Sequence, residues 1–434
     1  MTYSKNTSKA KDMNDSQRLS EGDLYEVLRC RIYPTSEQSN SMEEWLETLR
    51  WLFNRSLAER KDAYKTDKQN ITYRQQRDAL PALKKKYPQL RNVPSQVTQD
   101  CLQRLQEAFK HFFRRVKEKK AGAHIKVGYP KFKKYGRYHS LTFTQVWLRQ
   151  TKDPNKPEFR DVIRLELDEK KRASLQGENP RTVTGALHLP KLGALKIRVH
   201  RNFNWRRAKR VTLKKEADGH WYACICFQLE ASEKKGAVTS SGVKKVGVDL
   251  GLKYLAVSSD GYYHEHPKWL EKSEQKLKKE QRKLSKKKQG SKNRERQRKK
   301  VAKIHQKIAN QRKDFLHKLS HWLVSNYDEI IFEDLNIPAM VQDKRFAKSI
   351  LDAGWGSLIK FVSNKSVKLD HRVVKVDARY TSQDCSSCGK RVPKTLRERI
   401  HRCSRCGLVM CRDQNAAVNI KNRAGVGHSE PSVE

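Results

Sequence analysis

Four cysteines near the C-terminus carry the most specific chemistry in the chain. Cys385-Ser386-Ser387-Cys388-Gly389 and Cys403-Ser404-Arg405-Cys406-Gly407 are two Cys-x-x-Cys knuckles, each closed by glycine. A two-residue gap lets a tight turn aim two thiolates at one ion, and four sulfurs satisfy tetrahedral Zn²⁺ with no open position. The spacing predicts one structural zinc ion held by Cys385, Cys388, Cys403 and Cys406. An iron–sulfur cluster is the alternative. Cys411 lies outside the pattern and reads as a bystander.

Carboxylates form the second constellation. Val246-Gly247-Val248-Asp249 is a short apolar run ending in an acid, and Ile330-Ile331-Phe332-Glu333-Asp334 is another. Asp413 starts a helical pattern directly after the second knuckle. Neighbouring strands bring such ends together. Converging carboxylates cannot all stay ionised without cations, and such a set holds two Mg²⁺ ions for phosphodiester cleavage. Alternation sends Glu333 and Asp334 to opposite faces, so the pattern leaves the two in competition. His264-Glu265-His266 has the spacing of a metal pair in single-strand recombinases. Its charged middle residue and the lack of a tyrosine on the next helix make it a surface loop instead.

Composition names the partner class. Among 434 residues, Lys and Arg total 94 against 48 acids, a formal charge of +46. A polyphosphate is the natural counter-charge, because each neutralised phosphate releases condensed cations. With the three acids, this charge points to a metal-dependent nuclease; a protein that only binds nucleic acid is the alternative. No apolar run is long enough to span a membrane. The polar N-terminus has no secretory core, and nine cysteines without disulfide spacing fit a reducing compartment.

The elements that must position these groups fall into two patterns. A strand over Asp23–Tyr33 ends at Pro34, and Thr35 with Gln38 gives a capping box for a helix to about Tyr64. Helices follow over Thr72–Lys86 and Ser95–Lys120, the latter with Val97, Leu102, Leu105, Phe109, Phe112, Phe113 and Val116 as an apolar stripe read as core. Short strands then run from Ser140 to Leu229, separated by Gly, Pro, Asn and Asp, and read as a small barrel or sandwich wrapped around the helices. A Ser/Gly/Lys linker from Ala231 to Lys245 precedes the first acidic strand. Lys268–Asn326 reads as a basic helical hairpin broken near Gly290, with a helix over Trp355–His371 and a strand at Val373–Val376 to follow.

Taken together, the motifs resemble a family. Val246–Gly251, Ile330–Leu335 and Arg412–Asn419 are similar to the three motifs of RuvC-type nucleases, with a zinc ribbon between the second and third. That arrangement resembles the TnpB (OrfB) proteins of insertion sequences and their relatives, the miniature type V CRISPR effectors. Arg31-Ile32-Tyr33-Pro34-Thr35, Phe53-Asn54-Arg55-Ser56-Leu57, Ser140-Leu141-Thr142-Phe143-Thr144 and Ala309–Phe315 agree. The likeness runs from about Leu24 to Asn422.

The resemblance implies a multidomain α+β protein. A β-barrel wedge (23–34 and 123–236) is interrupted by a helical recognition lobe (35–122). An RNase H-like RuvC α/β domain (243–377 and 408–423) follows, with a four-cysteine zinc ribbon (378–407) inserted in it. Residues 1–22 and 424–434 are expected to be a disordered start and a flexible tail. The implied activity is RNA-guided cleavage of DNA beside a short flanking motif. Asp249, Glu333 and Asp413 become the catalytic ligands of two Mg²⁺ ions, with Glu333 preferred to Asp334 by motif. The partners implied are a guide RNA, double-stranded target DNA and its displaced single strand, for a monomer in the bacterial cytoplasm at the nucleoid. Candidate nucleic-acid contacts are Arg50, Arg55, Lys133, Lys134, Arg206 and Arg207 in the first half. In the second half they are Lys286, Lys287, Lys299 and Arg312. The family often has an acid where this chain has Cys411. A guided repressor that does not cut and a CRISPR effector are the alternatives.

Overall fold

The computed structural model describes residues 25–122, 125–149, 159–167, 182–229, 242–395 and 398–424. The expected disordered start, the tail beyond Ala424 and most of the linker lie outside them. The chain divides into two compact units, one up to Leu229 and one from Glu230.

The first unit begins with strand β1 (Tyr25–Tyr33), whose alternation buries Leu28, Cys30 and Ile32 and leaves Val27 out. Thr35 then caps helix α1 (Ser36–Asp67) with the expected box: the Gln38 N–H donates to the Thr35 hydroxyl, and the Thr35 N–H donates to the Gln38 amide oxygen. Met42, Leu49, Leu52 and Leu57 line its buried face. Each such leucine contributes about 1.5–3 kcal/mol relative to exposure. The single helix expected over Thr72–Lys86 is two, α2 (Tyr73–Asp78) and α3 (Leu80–Lys86). Pro81 explains the break, since it has no N–H and is tolerated only in a first turn. A short α4 (Gln89–Asn92) leads to α5 (Ser95–Lys120), which has the expected bounds. Its stripe is core as far as Phe109, but Phe113 is 51 % exposed. There Phe112, Phe113 and Tyr129 form their own ring cluster.

The chain then returns to the sheet as β2 (Ser140–Phe143), β3 (Trp147–Arg149), β4 (Phe159–Asp161), β5 (Arg164–Leu167), β6 (Val183–Leu189), β7 (Gly193–Val199), β8 (Ala208–Lys215) and β9 (Trp221–Gln228). Seven strands pair in the order β2-β8-β9-β1-β7-β6-β5, with β3 and β4 paired apart. Among the described residues the expected barrel is thus an open sheet edged by β2 and β5. The helices sit between β1 and β2 in sequence, as an insertion, and share one apolar core with the sheet.

The second unit is a five-stranded sheet ordered β12-β11-β10-β13-β14. Strands β10 (Lys245–Asp249), β11 (Tyr254–Ser258) and β12 (Tyr263–Glu265) form an antiparallel meander. Strands β13 (Glu329–Glu333) and β14 (Arg372–Val376) lie parallel to β10. Helices α6 (Trp269–Ser285) and α7 (Lys292–Asn326) form the expected hairpin, with Gly290 in its turn. Short α8 (Ile337–Met340) and α9 (Ala347–Ala353) precede α10 (Trp355–Leu369). Val246, Val248, Ile330 and Phe332 pack with Leu316 and Leu319 of α7 and with Leu358 and Val362 of α10. Residues of opposite parity face the last helix, α11 (Arg412–Arg423): Ile331 and Val376 meet Ile420. A two-stranded ribbon, β15 (Ile400–Arg402) and β16 (Val409–Cys411), precedes α11. No helix of the described residues is long and apolar enough to cross a membrane.

Candidate active site and metal centre

Strand register brings two of the acids together. Val246 to Val248 pair in parallel with Ile330 to Phe332, so the next residues, Asp249 and Glu333, emerge side by side on the face toward α11. Asp334 falls on the other parity; it is exposed and paired with Lys375 at 3.0 Å. Glu333 is buried, at 8 % exposure.

Gly247 lets the third acid approach. A Cβ on Gly247 would lie 2.1 Å from the carbonyl oxygen of Ala417 and 2.5 Å from the Lys421 nitrogen. The backbone of α11 therefore crosses β10 directly at this glycine, and α11 carries Asp413 in its first turn, where its charge acts on Asp249. Burial, then the charges of Glu333 and Asp413, push the Asp249 carboxyl well above its ordinary value, and Arg412 and Arg399 oppose the shift. Burial raises Glu333 too, against a hydrogen bond from Thr381. Arg412 and Arg399 lie 3.3 and 3.7 Å from the Asp413 Oδ1. Asp249 therefore carries the charge of two other acids, incompletely compensated by the arginines near it. A carboxylate-only donor set suits a hard, oxygen-seeking ion, so these residues fit divalent Mg²⁺.

The cysteines also meet. The four Sγ atoms lie within 4.8 Å of one another, with Cys385–Cys406 at 3.6 Å and Cys388–Cys403 at 3.5 Å. Bonds of about 2.3 Å in a tetrahedron place sulfurs about 3.8 Å apart, so the cluster fits zinc and is far too open for disulfides. Each knuckle is the same turn. Gly389 N–H donates to Cys385 O and Gly407 N–H to Cys403 O, both at 2.9 Å, with the glycines at φ +73° and +74°. Backbone N–H groups of Cys406 and Arg405 help hold the Cys403 thiol down at about 6, which favours the thiolate that a metal needs.

Between these centres lies a segment in which spacing and periodicity show no function. The Thr381 hydroxyl donates to Glu333 Oε1. Asn419 donates to the carbonyls of Thr381 and Asp384. Asn415 donates to Asp384 O at 2.8 Å and accepts from the Ser386 N–H, inside the first knuckle, at 3.0 Å. The two asparagines, four residues apart on one face of the 412–419 motif, are the available signal, since buried Asn on a helix face needs partners.

The cationic candidates separate. Arg50 bonds Glu47 at 2.6 Å and Lys133 O at 3.5 Å, which gathers Arg50 and Lys133 on one face of α1. Arg55 there lies beside the rings of Trp51 and Tyr87. Lys134 and Arg206 are exposed and Arg207 is half-buried. Lys286 and Lys287 sit in the turn of the helical hairpin, and Lys299 is exposed on α7. Arg312 instead points inward, onto the buried Asp352. Asp352 also lies 3.9 Å from His266 and accepts from the Leu270 N–H at 3.1 Å. The expected surface loop at His264-Glu265-His266 is therefore corrected: His264 is on β12, stacked edge-on to Trp322, and His266 is buried beside Asp352. Cys411 occupies the N-cap position of α11 without a side-chain capping bond and neighbours Tyr263.

Three family models match the chain. One described as "Probable transposase" covers 225–344, "Cas12f1-like, TNB domain" covers 355–420, and "Helix-turn-helix domain" covers 25–69. The last span is here one strand and one continuous helix. The chain is 28 % identical over 413 residues to "Putative RNA-guided DNA endonuclease InsQ" of Escherichia coli (strain K12), covering 91 % of each. It is 29 % identical over 402 residues to "Putative RNA-guided DNA endonuclease" of Streptomyces pristinaespiralis, covering 91 % of this chain and 88 % of that one. Its fold is similar to the protein in "Cryo-EM structure of the Cas12f1-sgRNA-target DNA complex", with a TM-score of 0.50 at 12 % identity, over 93 % of this chain and all of that one.

Proposed function

This chain belongs to the TnpB (OrfB) family of transposon-encoded RNA-guided nucleases, and we propose that it is itself an RNA-guided DNA endonuclease of an insertion sequence. One observation carries the reading: parallel register sets Asp249 and Glu333 side by side, and the helix that begins with Asp413 crosses that strand at Gly247. We assign the unit from Glu230 the RNase H-like RuvC fold, with 378–407 as its zinc ribbon. We assign to the first unit the recognition lobe (35–122) and the wedge (23–34 and 123–236), whose last residues, 230–236, fall past the unit boundary.

Asp249, Glu333 and Asp413 would hold two Mg²⁺ ions. When bound, these supply the charge that activates water and stabilises the leaving oxygen. Arg399 and Arg412 hold Asp413 in place. Cys385, Cys388, Cys403 and Cys406 would hold one zinc ion that folds the ribbon and takes no part in bond cleavage. Exposed cations, Arg55, Lys133, Lys134, Arg206, Lys286 and Lys299 among them, bind phosphate without reading sequence, so base pairing with a guide RNA carries the specificity.

The test expresses the gene with its downstream flanking DNA and sequences the RNA that co-purifies. One discrete RNA with a variable end is expected, together with Mg²⁺-dependent cutting of matching DNA. Asp249→Ala should lose cutting by more than the ~10–100-fold typical of outer-shell changes while retaining the RNA. Cutting that survives the substitution removes Asp249 from the site. Heterogeneous, salt-sensitive RNA overturns the guided reading.

A further inference from the structure

Glu333 presents two carboxylate oxygens to a buried site, and one already has a partner. Thr381, 3 % exposed, directs its hydroxyl at Oε1. The same hydroxyl lies 3.2 Å from the Ala378 carbonyl, and it has one proton. Toward an ionised Glu333, which only accepts, that proton must go to the carboxylate. Donation to Ala378 would require Glu333 to be protonated, and a protonated acid is a poor cation ligand. An ionised Glu333 thus has Oε1 occupied and Oε2 left over.

Thr381 is itself fixed. Its carbonyl is gripped by Asn419, 8 % exposed, from the helix that begins with Asp413. The residue before it, Tyr380, takes the left-handed φ of +62°, with the Arg391 guanidinium 3.6 Å over its ring. Such a conformation is strained for a residue with a side chain and persists only where its surroundings over-determine it. Asn415 and Asn419 both hold Asp384 O, and Asn415 also receives the Ser386 N–H beside Cys385. The segment from Tyr380 to Ser386 is therefore tied at one end to a thiolate knuckle and at the other to Glu333.

We infer that Thr381 is the positioning residue for Glu333: its hydroxyl fixes one oxygen of that carboxylate so that the other faces the divalent cation. The inference rests on the reading of Asp249, Glu333 and Asp413 as cation ligands. Thr381 touches no reacting atom and acts only through Glu333.

The test titrates Mn²⁺ into the full-length protein and follows the free ion by electron paramagnetic resonance. Thr381→Val keeps the volume and removes the hydroxyl; Thr381→Ser restores it; Asp249→Ala measures the background from bound RNA. Thr381→Val should weaken the site-specific Mn²⁺ binding by ~10-fold, within the range for outer-shell partners of metal ligands, with one zinc per chain retained. Thr381→Ser should bind within a few-fold of wild type. Wild-type Mn²⁺ affinity in Thr381→Val, with Asp249→Ala impaired, overturns this inference alone. Equal impairment of the Val and Ser variants, or loss of zinc from Thr381→Val, makes the residue a packing element and overturns it too. Unchanged Mn²⁺ binding in Asp249→Ala overturns the cation-site reading and this inference with it.

Discussion

The thiolate cluster and the carboxylate cluster both crowd like charges, yet the chain builds them in opposite ways. Each thiolate pair is set by one turn, closed by a glycine and an N–H···O bond of 2.9 Å. Two such turns need only meet. The carboxylates come from two parallel strands and from a helix near the far end of the chain. Their meeting depends on strand register, on a missing side chain at Gly247, and on amides that hold the intervening segment. The first centre is robust to its surroundings and fails at its ligands. The second is exposed to substitutions at residues that touch no cation.

The largest effect should come from attacking the thiolates. Cys403→Ser, or chelation of the wild type, should abolish hydrogen-exchange protection across 385–407, while β10 and β13 stay protected. Structural zinc contributes about 10–16 kcal/mol to the folding of small peptide domains, far more than the ribbon's few hydrogen bonds. Protection that persists without metal would mean that hydrogen bonds alone fold the ribbon, and the contrast between the centres would collapse.

A smaller effect should follow from adding one methyl group near the carboxylates. Gly247→Ala places a carbon against two backbone atoms of α11 that cannot step aside. Overpacking of this kind costs about 1–3 kcal/mol, read as a thermal midpoint several degrees lower. Cleavage should fall as well, because α11 carries Asp413. An unchanged midpoint and unchanged cutting would show that α11 has room to shift, and would weaken the dependence on register argued above.

The smallest effect separates two adjacent acids. Asp334→Asn should alter stability by no more than ~0.5 kcal/mol and leave cutting intact, since Asp334 is exposed and meets only a surface lysine. Glu333→Gln should lose cutting. Equal losses in a cleavage assay would reopen the choice between them.

The legible parts of the sequence follow the same division. The knuckles, the capping box at Thr35 and the bounds of α5 rest on neighbours within a few residues, and simple spacing rules reach them. Pro81 is a local signal too, but helical periodicity runs across it, so two short helices read as one continuous element. Long-range partners are not legible. Nothing near His266 announces Asp352, which buries it and also draws Arg312 inward. Nothing near Gly247 announces Ala417. Thr381 reads as part of a loop because its partner, Glu333, lies on a strand far back in the chain. Periodicity places the carboxylates at element ends, but only paired strands decide which ends coincide.

Gly247 also orders events during synthesis. A chain leaves the ribosome N-terminus first, at about 5–20 residues per second. Among the described elements, strand β10 is made early in its unit, and the helix that must lie on it is made after every strand of that sheet. Closing so long a loop is the slow part of folding such a topology. Until Arg412 to Arg423 have emerged, the nascent protein carries Asp249 and Glu333 without Asp413, and the face of β10 at Gly247 stays uncovered. Emergence of Arg412 to Arg423 is therefore the last assembly step of the carboxylate set, and a chain terminated before that helix is left with two of its three acids.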